Sequence, residues 1–169
     1  AEHPNAKRQY KSGDVNCTLI QTANGITVTL YYDSLSPRPA DMIYRIQGTK
    51  GIFSGTLDKI YLEDVSPVRE QWEELDRYRE KYDHPLWKKY GDIAIKTGHG
   101  GSDYFCMRDF VEAIRHRTPV PIDVYDAATW SIITKLTEES ALNKSRPVDF
   151  PDFTRSKWQE RKPLPIVNP

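Results

Sequence analysis

The sequence has 169 residues and balances 24 basic against 24 acidic side chains, so net charge draws it neither to nucleic acid nor to an anionic membrane surface. Its length is that of one ordinary domain, and no apolar run approaches the roughly 18 residues of a transmembrane helix. The four histidines lack the paired spacing of a zinc site.

Three stretches of different character follow one another along the chain. Residues 1–14 carry no initiator methionine and no apolar pattern, and we interpret them as an extended segment of a fragment cut from a larger protein. Residues 15–146 hold the periodic segments and form the predicted folded domain. Residues 147–169 are rich in proline and are expected to lie extended over the surface.

The first third of the folded stretch is predicted to be a meander of antiparallel strands. Val15–Thr22 and Ile26–Asp33 are rich in Val, Ile, Leu, Thr and Tyr, and Asn24-Gly25 between them is a strong hairpin signal. Further short strands are predicted at Met42–Gln47, Ile52–Phe53 and Lys59–Glu63.

Three helices are predicted after the strands. The first begins at an N-cap, Ser66, and ends near Pro85 and Gly91. The second begins at an N-cap, Ser102, and ends near Arg117. The third is capped by Asp123 and runs to about Lys144. Strands followed by helices favour an α+β fold, with an open, mostly antiparallel sheet and helices packed on one face.

Several further residues are assigned structural roles. Cys17 and Cys106 lie in a strand-like and a helix-like run, and both are predicted to be buried thiols. Trp72 and Trp130 fit the core-facing side of predicted helices, and Lys50 is expected to be a solvated turn lysine.

Six segments spread along the chain carry a resemblance to a known family. They are GDVNCTLI (Gly13–Ile20), SPRP (Ser36–Pro39), QGTKG (Gln47–Gly51), GHGGSDY (Gly98–Tyr104), DVYDAATWS (Asp123–Ser131) and PVDFPDFTR (Pro147–Arg155). In this order they resemble the C-terminal domain of the Gfo/Idh/MocA oxidoreductases. More narrowly, they resemble the NAD-dependent glycosidase branch, glycoside hydrolase family 109, known for α-N-acetylgalactosaminidase activity.

The resemblance implies a domain like the C-terminal domain of glyceraldehyde-3-phosphate dehydrogenase, which walls a substrate cleft and forms homo-oligomers through its sheet. It also implies an N-terminal Rossmann domain that holds NAD(P). The Rossmann fingerprint G-x-G-x-x-G is absent from this sequence, and GTKGIFSG lies between predicted strands without the required spacing. We therefore expect no cofactor site here, a missing Rossmann domain, and no activity from the chain alone.

The implied chemistry is a retaining oxidation and elimination on a sugar such as N-acetylgalactosamine, with NAD⁺ as oxidant. It does not use the usual pair of catalytic carboxylates, and no residue of this chain is assigned a catalytic role. Two alternatives remain open. The same domain could belong to an NAD(P)-dependent sugar oxidoreductase, or the chain could be a stand-alone binding module.

Four residues are candidates for substrate contact in the cleft that the resemblance implies. His99 can hold a sugar hydroxyl or shuttle a proton, or it can form a local hydrogen bond that stiffens the glycine-rich loop. Tyr104 can bond or stack on a sugar, or pack in the core. Asp103 also complements the dipole of the helix that starts there. Arg38, between two prolines, can meet a polar ligand or form a salt bridge across an interface.

Overall fold

The computed structural model describes residues 3–9, 13–39 and 43–162. The chain forms two compact units, the first ending at Glu80 and the second beginning at Lys81. The strands lie in the first unit and most of the helical residues lie in the second. With four α-helices and two small antiparallel sheets among the described residues, the predicted α+β class is confirmed.

Strands β1 (Val15–Gln21) and β2 (Thr27–Asp33) form a hairpin, as the Asn-Gly signal predicts. They pair antiparallel over their whole length, from Val15 opposite Asp33 to Gln21 opposite Thr27. Gly25 has a φ of 79° in the connecting turn, a conformation that glycine adopts without a steric penalty. These two strands form a sheet of their own.

The second sheet contains four strands in chain order. They are β3 (Arg45–Gly48), β4 (Gly51–Ser54), β5 (Lys59–Leu62) and β6 (Glu73–Glu74), each antiparallel to the next. Met42, the predicted start of the third strand, lies outside the described residues. The strands therefore occupy two sheets where the sequence predicted one continuous meander.

The prediction of a helix beginning at Ser66 is wrong. The Ser66 hydroxyl instead accepts a hydrogen bond from the Leu62 amide at 2.9 Å and so closes the turn after β5. Strand β6 then pairs with β5, with Glu74 opposite Lys59, and helix α1 begins only afterwards and spans Asp76–Tyr82. Pairing with a distant strand outweighs the local helical spacing here.

Helix α2 (Pro85–Ala94) lies where the sequence predicted the end of an element. The His84 Nδ1 accepts a hydrogen bond from the Leu86 amide at 3.2 Å, which makes His84 the N-cap. Pro85 then occupies the first turn, where a missing N–H costs nothing. The proline starts this helix and does not end one.

Helices α3 (Ser102–His116) and α4 (Val124–Leu142) confirm the two remaining helix predictions. The tail that follows α4 is fixed to the start of that helix. Arg161 donates two hydrogen bonds to the Asp126 carboxylate, at 3.0 and 2.7 Å. The tail and α4 are thereby joined across 35 positions of sequence.

Few large side chains of the described residues are buried. Ala94 and Ala113 are the buried apolar residues among them. The burial predicted for Cys17 and Cys106 is wrong, because both thiols are exposed. So is the core position predicted for Trp72 and Trp130, whose exposed fractions among the described residues are 39% and 57%. Trp72 also lies just before strand β6 and in no helix. Among the described helices, none has the length and apolar character needed to cross a membrane.

Candidate functional site

The segment between α2 and α3 has an unusual backbone. His99, Gly100 and Gly101 have successive φ values of 52°, 64° and 96°. Positive φ is common for glycine but uncommon for histidine, where it carries a steric cost. A hydrogen bond from the Gly101 amide to the Gly98 carbonyl, at 3.1 Å, closes the turn. The loop therefore holds His99 in a conformation that its own preferences disfavour.

Two of the glycines leave room for neighbouring groups. A Cβ on Gly101 would lie 2.8 Å from the Trp87 ring and 3.0 Å from the Ala94 backbone carbon. A Cβ on Gly98 would clash with a carboxylate oxygen of Asp103. Only glycine allows the loop to lie this close to α2 and the carboxylate to lie this close to the loop.

His99 and Asp103 form a direct pair. The His99 Nδ1 lies 3.0 Å from each carboxylate oxygen of Asp103. The exposed fraction of the imidazole side chain is 83%, against 52% for the carboxylate. Both observations leave the far edge of the ring, with Nε2, open to solvent.

Ser102 is not the N-cap of α3, contrary to the sequence-based expectation. The capping position is Gly101, and no side chain accepts a hydrogen bond from the first helical amides there. The Ser102 hydroxyl instead donates to the His99 carbonyl at 2.9 Å. Ser102 thus fixes the backbone of His99 and leaves the start of the helix without a side-chain cap.

A cluster of aromatic rings on α2 and α3 packs beside the loop. Trp87 and Phe105 meet edge to face with ring centroids 4.9 Å apart, and Phe105 and Tyr104 do so at 5.4 Å. Tyr90 lies beside Tyr104 at 5.9 Å. Such arrangements favour fixed ring orientations. The Tyr104 ring is therefore packed against other rings, as expected if its role is structural, although the residue is only half-buried.

A cavity of about 560 Å³ opens beside the loop, along one side of α3. Its lining begins at Thr97 and Gly98, includes Asp103 and Tyr104, and continues along the helix to Glu112. His99 is not among the lining residues. It is instead held against one of them, Asp103.

Met107 and Arg108 line the same cavity and were missed from the sequence. They lie three and four positions after Tyr104, so helical spacing alone would have placed them on its side of α3. The Arg108 guanidinium pairs with Asp109 at 2.8 Å and lies 5.1 Å from the Tyr90 ring centroid. A hydrogen bond from Lys89 lowers the pKa of Tyr90, although desolvation opposes the shift, and the charge of Arg108 contributes in the same direction. Arg108 is the basic residue of the cavity lining, which also includes the acidic Asp103 and Glu112.

Arg38 belongs to the first unit, whereas the other three candidates belong to the second. Its guanidinium donates to the Asp33 carbonyl at 3.0 Å and lies 3.6 Å from the Asp33 carboxylate. A hydrogen bond from the Ser36 amide is the main cause of the lowered pKa of the Asp33 carboxyl group. Arg38 therefore helps to close its own loop, and its contact with a substrate stays a prediction.

Residues 1–160 match the model of the family described as glycosyl hydrolase 109, C-terminal domain. The chain belongs to this family. It is 46% identical over 162 residues to a glycosyl hydrolase family 109 protein of Stenotrophomonas maltophilia, which covers 96% of this chain and 36% of that protein. It is 47% identical over 165 residues to one of Solibacter usitatus, covering 97% of this chain and 37% of that protein.

A third relative is named alpha-N-acetylgalactosaminidase, from Tannerella forsythia. It is 44% identical over 163 residues, covering 96% of this chain and 35% of that protein. This family 109 domain therefore spans about a third of the length of the curated relatives that it matches. The resemblance inferred from the six sequence segments is confirmed at the level of the family.

Proposed function

We propose that the chain is the substrate-binding and oligomerisation domain of an NAD-dependent retaining glycosidase that acts on a sugar such as N-acetylgalactosamine. The observation that carries this proposal is the match of residues 1–160 to the family 109 C-terminal domain. The glycine loop, with an exposed histidine beside an open cavity, supplies a place for a sugar to bind. By this proposal, the domain supplies one wall of the cleft and is inactive alone.

The part of the chain that the structure describes does not fit NAD. A dinucleotide pyrophosphate needs open backbone amides at a glycine turn between a strand and a helix. Gly48 and Gly51 pair within an antiparallel hairpin. Near the other glycine turn, the Trp87 ring fills the space at Gly101, and the Asp103 carboxylate, which repels phosphate, fills the space at Gly98. We assign the cofactor to a Rossmann domain outside these residues, and no chemical step to this chain.

The protein expressed from its complete gene, with NAD⁺ bound, tests the reaction. We expect it to release nitrophenol from p-nitrophenyl α-N-acetylgalactosaminide without net formation of NADH. No release of nitrophenol, together with net NADH formation on free sugars, would contradict the glycosidase and support the sugar oxidoreductase alternative.

The 169-residue chain alone tests the placement of the cofactor. Titration calorimetry with NAD⁺ should give no measurable heat of binding. Micromolar affinity would show that the chain contains a dinucleotide site and would overturn the division of labour proposed above.

Tyr104 tests the position of the substrate. Tyr104→Phe keeps the packed ring and removes only the hydroxyl, so we expect KM for the glycoside to rise about two- to tenfold, the range of one lost hydrogen bond. The matched control is Tyr125→Phe, an exposed tyrosine on α4 that is not among the cavity-lining residues. Equal KM values for the two variants would remove Tyr104 from the site.

The β1–β2 hairpin is our candidate for the oligomer surface, with a second copy of the chain as its occupant. Leu19 and Tyr31, on one face of the hairpin, have exposed fractions of 72% and 54%. Burial of such apolar surface favours association. Leu19→Glu should lower the mass of the complete protein in sedimentation, whereas Gln21→Glu, on the same face at the strand end, should not. An unchanged mass for Leu19→Glu would place the interface elsewhere.

A further inference from the structure

We infer that Asp103 is a positioning residue, which holds His99 with its proton on Nδ1 so that Nε2 faces outward as a hydrogen-bond acceptor for a sugar hydroxyl. This inference rests on the proposed function, because it takes the ligand to be a sugar. The pairing itself is a property of the loop, however, and can be tested without any substrate.

The carboxylate determines which ring nitrogen carries the proton. An ionised aspartate can only accept hydrogen bonds, and both Asp103 oxygens lie 3.0 Å from the His99 Nδ1. The Nδ1 must therefore be the donor. In a neutral imidazole the other nitrogen then has a free lone pair and can only accept.

The backbone around this pair is strained, although a simpler arrangement exists in the same helix. At the other end of α3, the His116 Nε2 lies 3.0 Å from a carboxylate oxygen of Glu112, within the regular turns of the helix. That pair needs no residue of positive φ between its members. The His99–Asp103 pair spans three residues of positive φ and requires glycine at position 98. Strain of this kind is concentrated at functional sites.

The two pairs also differ in what they leave available. The Glu112 carboxylate is shared with Arg115, at 3.1 Å, so that histidine belongs to a surface ion-pair cluster. Both carboxylates line the cavity, but the described residues give Asp103 no cationic partner besides His99, whose imidazole is 83% exposed. The glycine loop thus presents an imidazole whose Nε2 has no hydrogen-bond partner among the described residues.

An acceptor at this place selects among the polar groups of a ligand. A hydroxyl of a sugar can donate a hydrogen bond to Nε2. A carbonyl or carboxylate oxygen at the same place cannot, because it and Nε2 are both acceptors. Because the imidazole is 83% exposed, we expect this discrimination to be that of one hydrogen bond made in competition with water. The pair therefore favours a ring hydroxyl of the substrate at the His99 Nε2.

The test has a spectroscopic arm that needs no ligand. The complete protein is labelled with ¹⁵N-histidine, and the His99 signals are assigned by their loss in His99→Ala. In the pH range where imidazole is neutral, we expect Nδ1 to be protonated and Nε2 bare. Asp103→Ala should shift His99 toward the tautomer with the proton on Nε2, whereas Glu112→Ala, the matched control, should leave His99 unchanged. A bare Nδ1 in the wild type, or no change in Asp103→Ala, would overturn the inference.

The kinetic arm separates positioning from direct contact. Asp103→Ala should raise KM for p-nitrophenyl α-N-acetylgalactosaminide about two- to tenfold, with a smaller change in kcat. His99→Ala should raise KM at least as much, and the double variant no further, because Asp103 acts through His99. Additive effects would show that Asp103 binds the sugar itself, and no effect on KM would remove the acceptor role. If the wild type releases no nitrophenol, the proposed function is contradicted and not the inference about Asp103. The NMR measurement of the His99 tautomer then tests that inference by itself.

Discussion

The helices α3 and α4 begin in opposite ways. At the start of α4, Asp123 accepts from the Tyr125 and Asp126 amides at 2.8 and 3.1 Å, and Asp126 accepts in return from the Asp123 amide. Arg161 then binds both carboxylates. At the start of α3, no side chain caps the helix and Asp103 binds a histidine instead.

This difference indicates that the first turn of α4 stabilises the fold, whereas the first turn of α3 is available to a ligand. In α4 the polar groups satisfy one another, which is the usual solution for the unpaired amides of a helix terminus. In α3 the carboxylate of the first turn, Asp103, pairs with an exposed imidazole instead. Substitutions at the α4 start should therefore change stability alone, and substitutions at the α3 start should change the site.

The largest expected effect on folding is at Gly101. Gly101→Ala places a Cβ against Trp87 and Ala94 at a φ of 96°, so we expect the loop to lose about 2–4 kcal/mol of stability from backbone strain and overpacking together. Gly100→Ala is the matched control, because its φ is also positive but nothing lies within 4 Å of the added carbon. Hydrogen exchange of the α3 amides measures both. Equal losses in the two variants would show that contact with Trp87 is unimportant.

Asp123 should rank second. Asp123→Ala removes the acceptor for two amides and should cost about 1 kcal/mol, the usual value for an N-cap. Hydrogen exchange of the first turn of α4 should show the loss, while KM for the glycoside stays at the wild-type value. Asp123→Asn, which keeps a capping oxygen, is the control and should retain most of the protection. A raised KM in Asp123→Ala would mean that the start of α4 also affects substrate binding and not only stability.

The start of α4 could be predicted from the sequence because its capping box is local. Asp123 and Asp126 are three positions apart, and their chemistry needs no distant partner. The contribution of Arg161 could not be predicted, since it comes from a segment 35 positions away. In the same way, strand β6 was missed because its pairing with Lys59 and Ile60 outweighs its local helical spacing.

The start of α3 could be predicted only in part. GHGGSDY correctly marked a helix start, and of its candidate residues His99 contacts Asp103, which lines the cavity together with Tyr104. The serine was misassigned as a cap, because sequence spacing does not reveal that His99 and Gly101 have positive φ. The glycines were the available signal, since a run of them predicts backbone that other residues disfavour. The pairing of Asp103 with His99 depends on that backbone and required the structure.

Arg161 gives a smaller effect with a pH signature. The Arg161 guanidinium lowers the pKa of Asp126 below 3.8, so the pair contributes stability above that pH and loses it as the pH falls through the lowered value. Arg161→Ala should weaken protection of the α4 start at neutral pH, and the gap from wild type should narrow on acidification. Arg155→Ala, in the same tail, is the control. A gap that stays constant between neutral and acid pH would show that the ion pair is not its source.

The smallest expected effect, at Ser102, is the most direct comparison of the two starts. Its hydroxyl donates to the His99 carbonyl and accepts nothing from the helix, so Ser102→Ala should change the protection of the first turn of α3 by less than about 0.5 kcal/mol. The same type of substitution at Asp123 should cost about twice that or more. A loss at Ser102 as large as that at Asp123 would restore serine as the N-cap. Helices α3 and α4 would then both be capped by a side chain at their first turn, and the contrast that assigns Asp103 to the orientation of His99 would be lost.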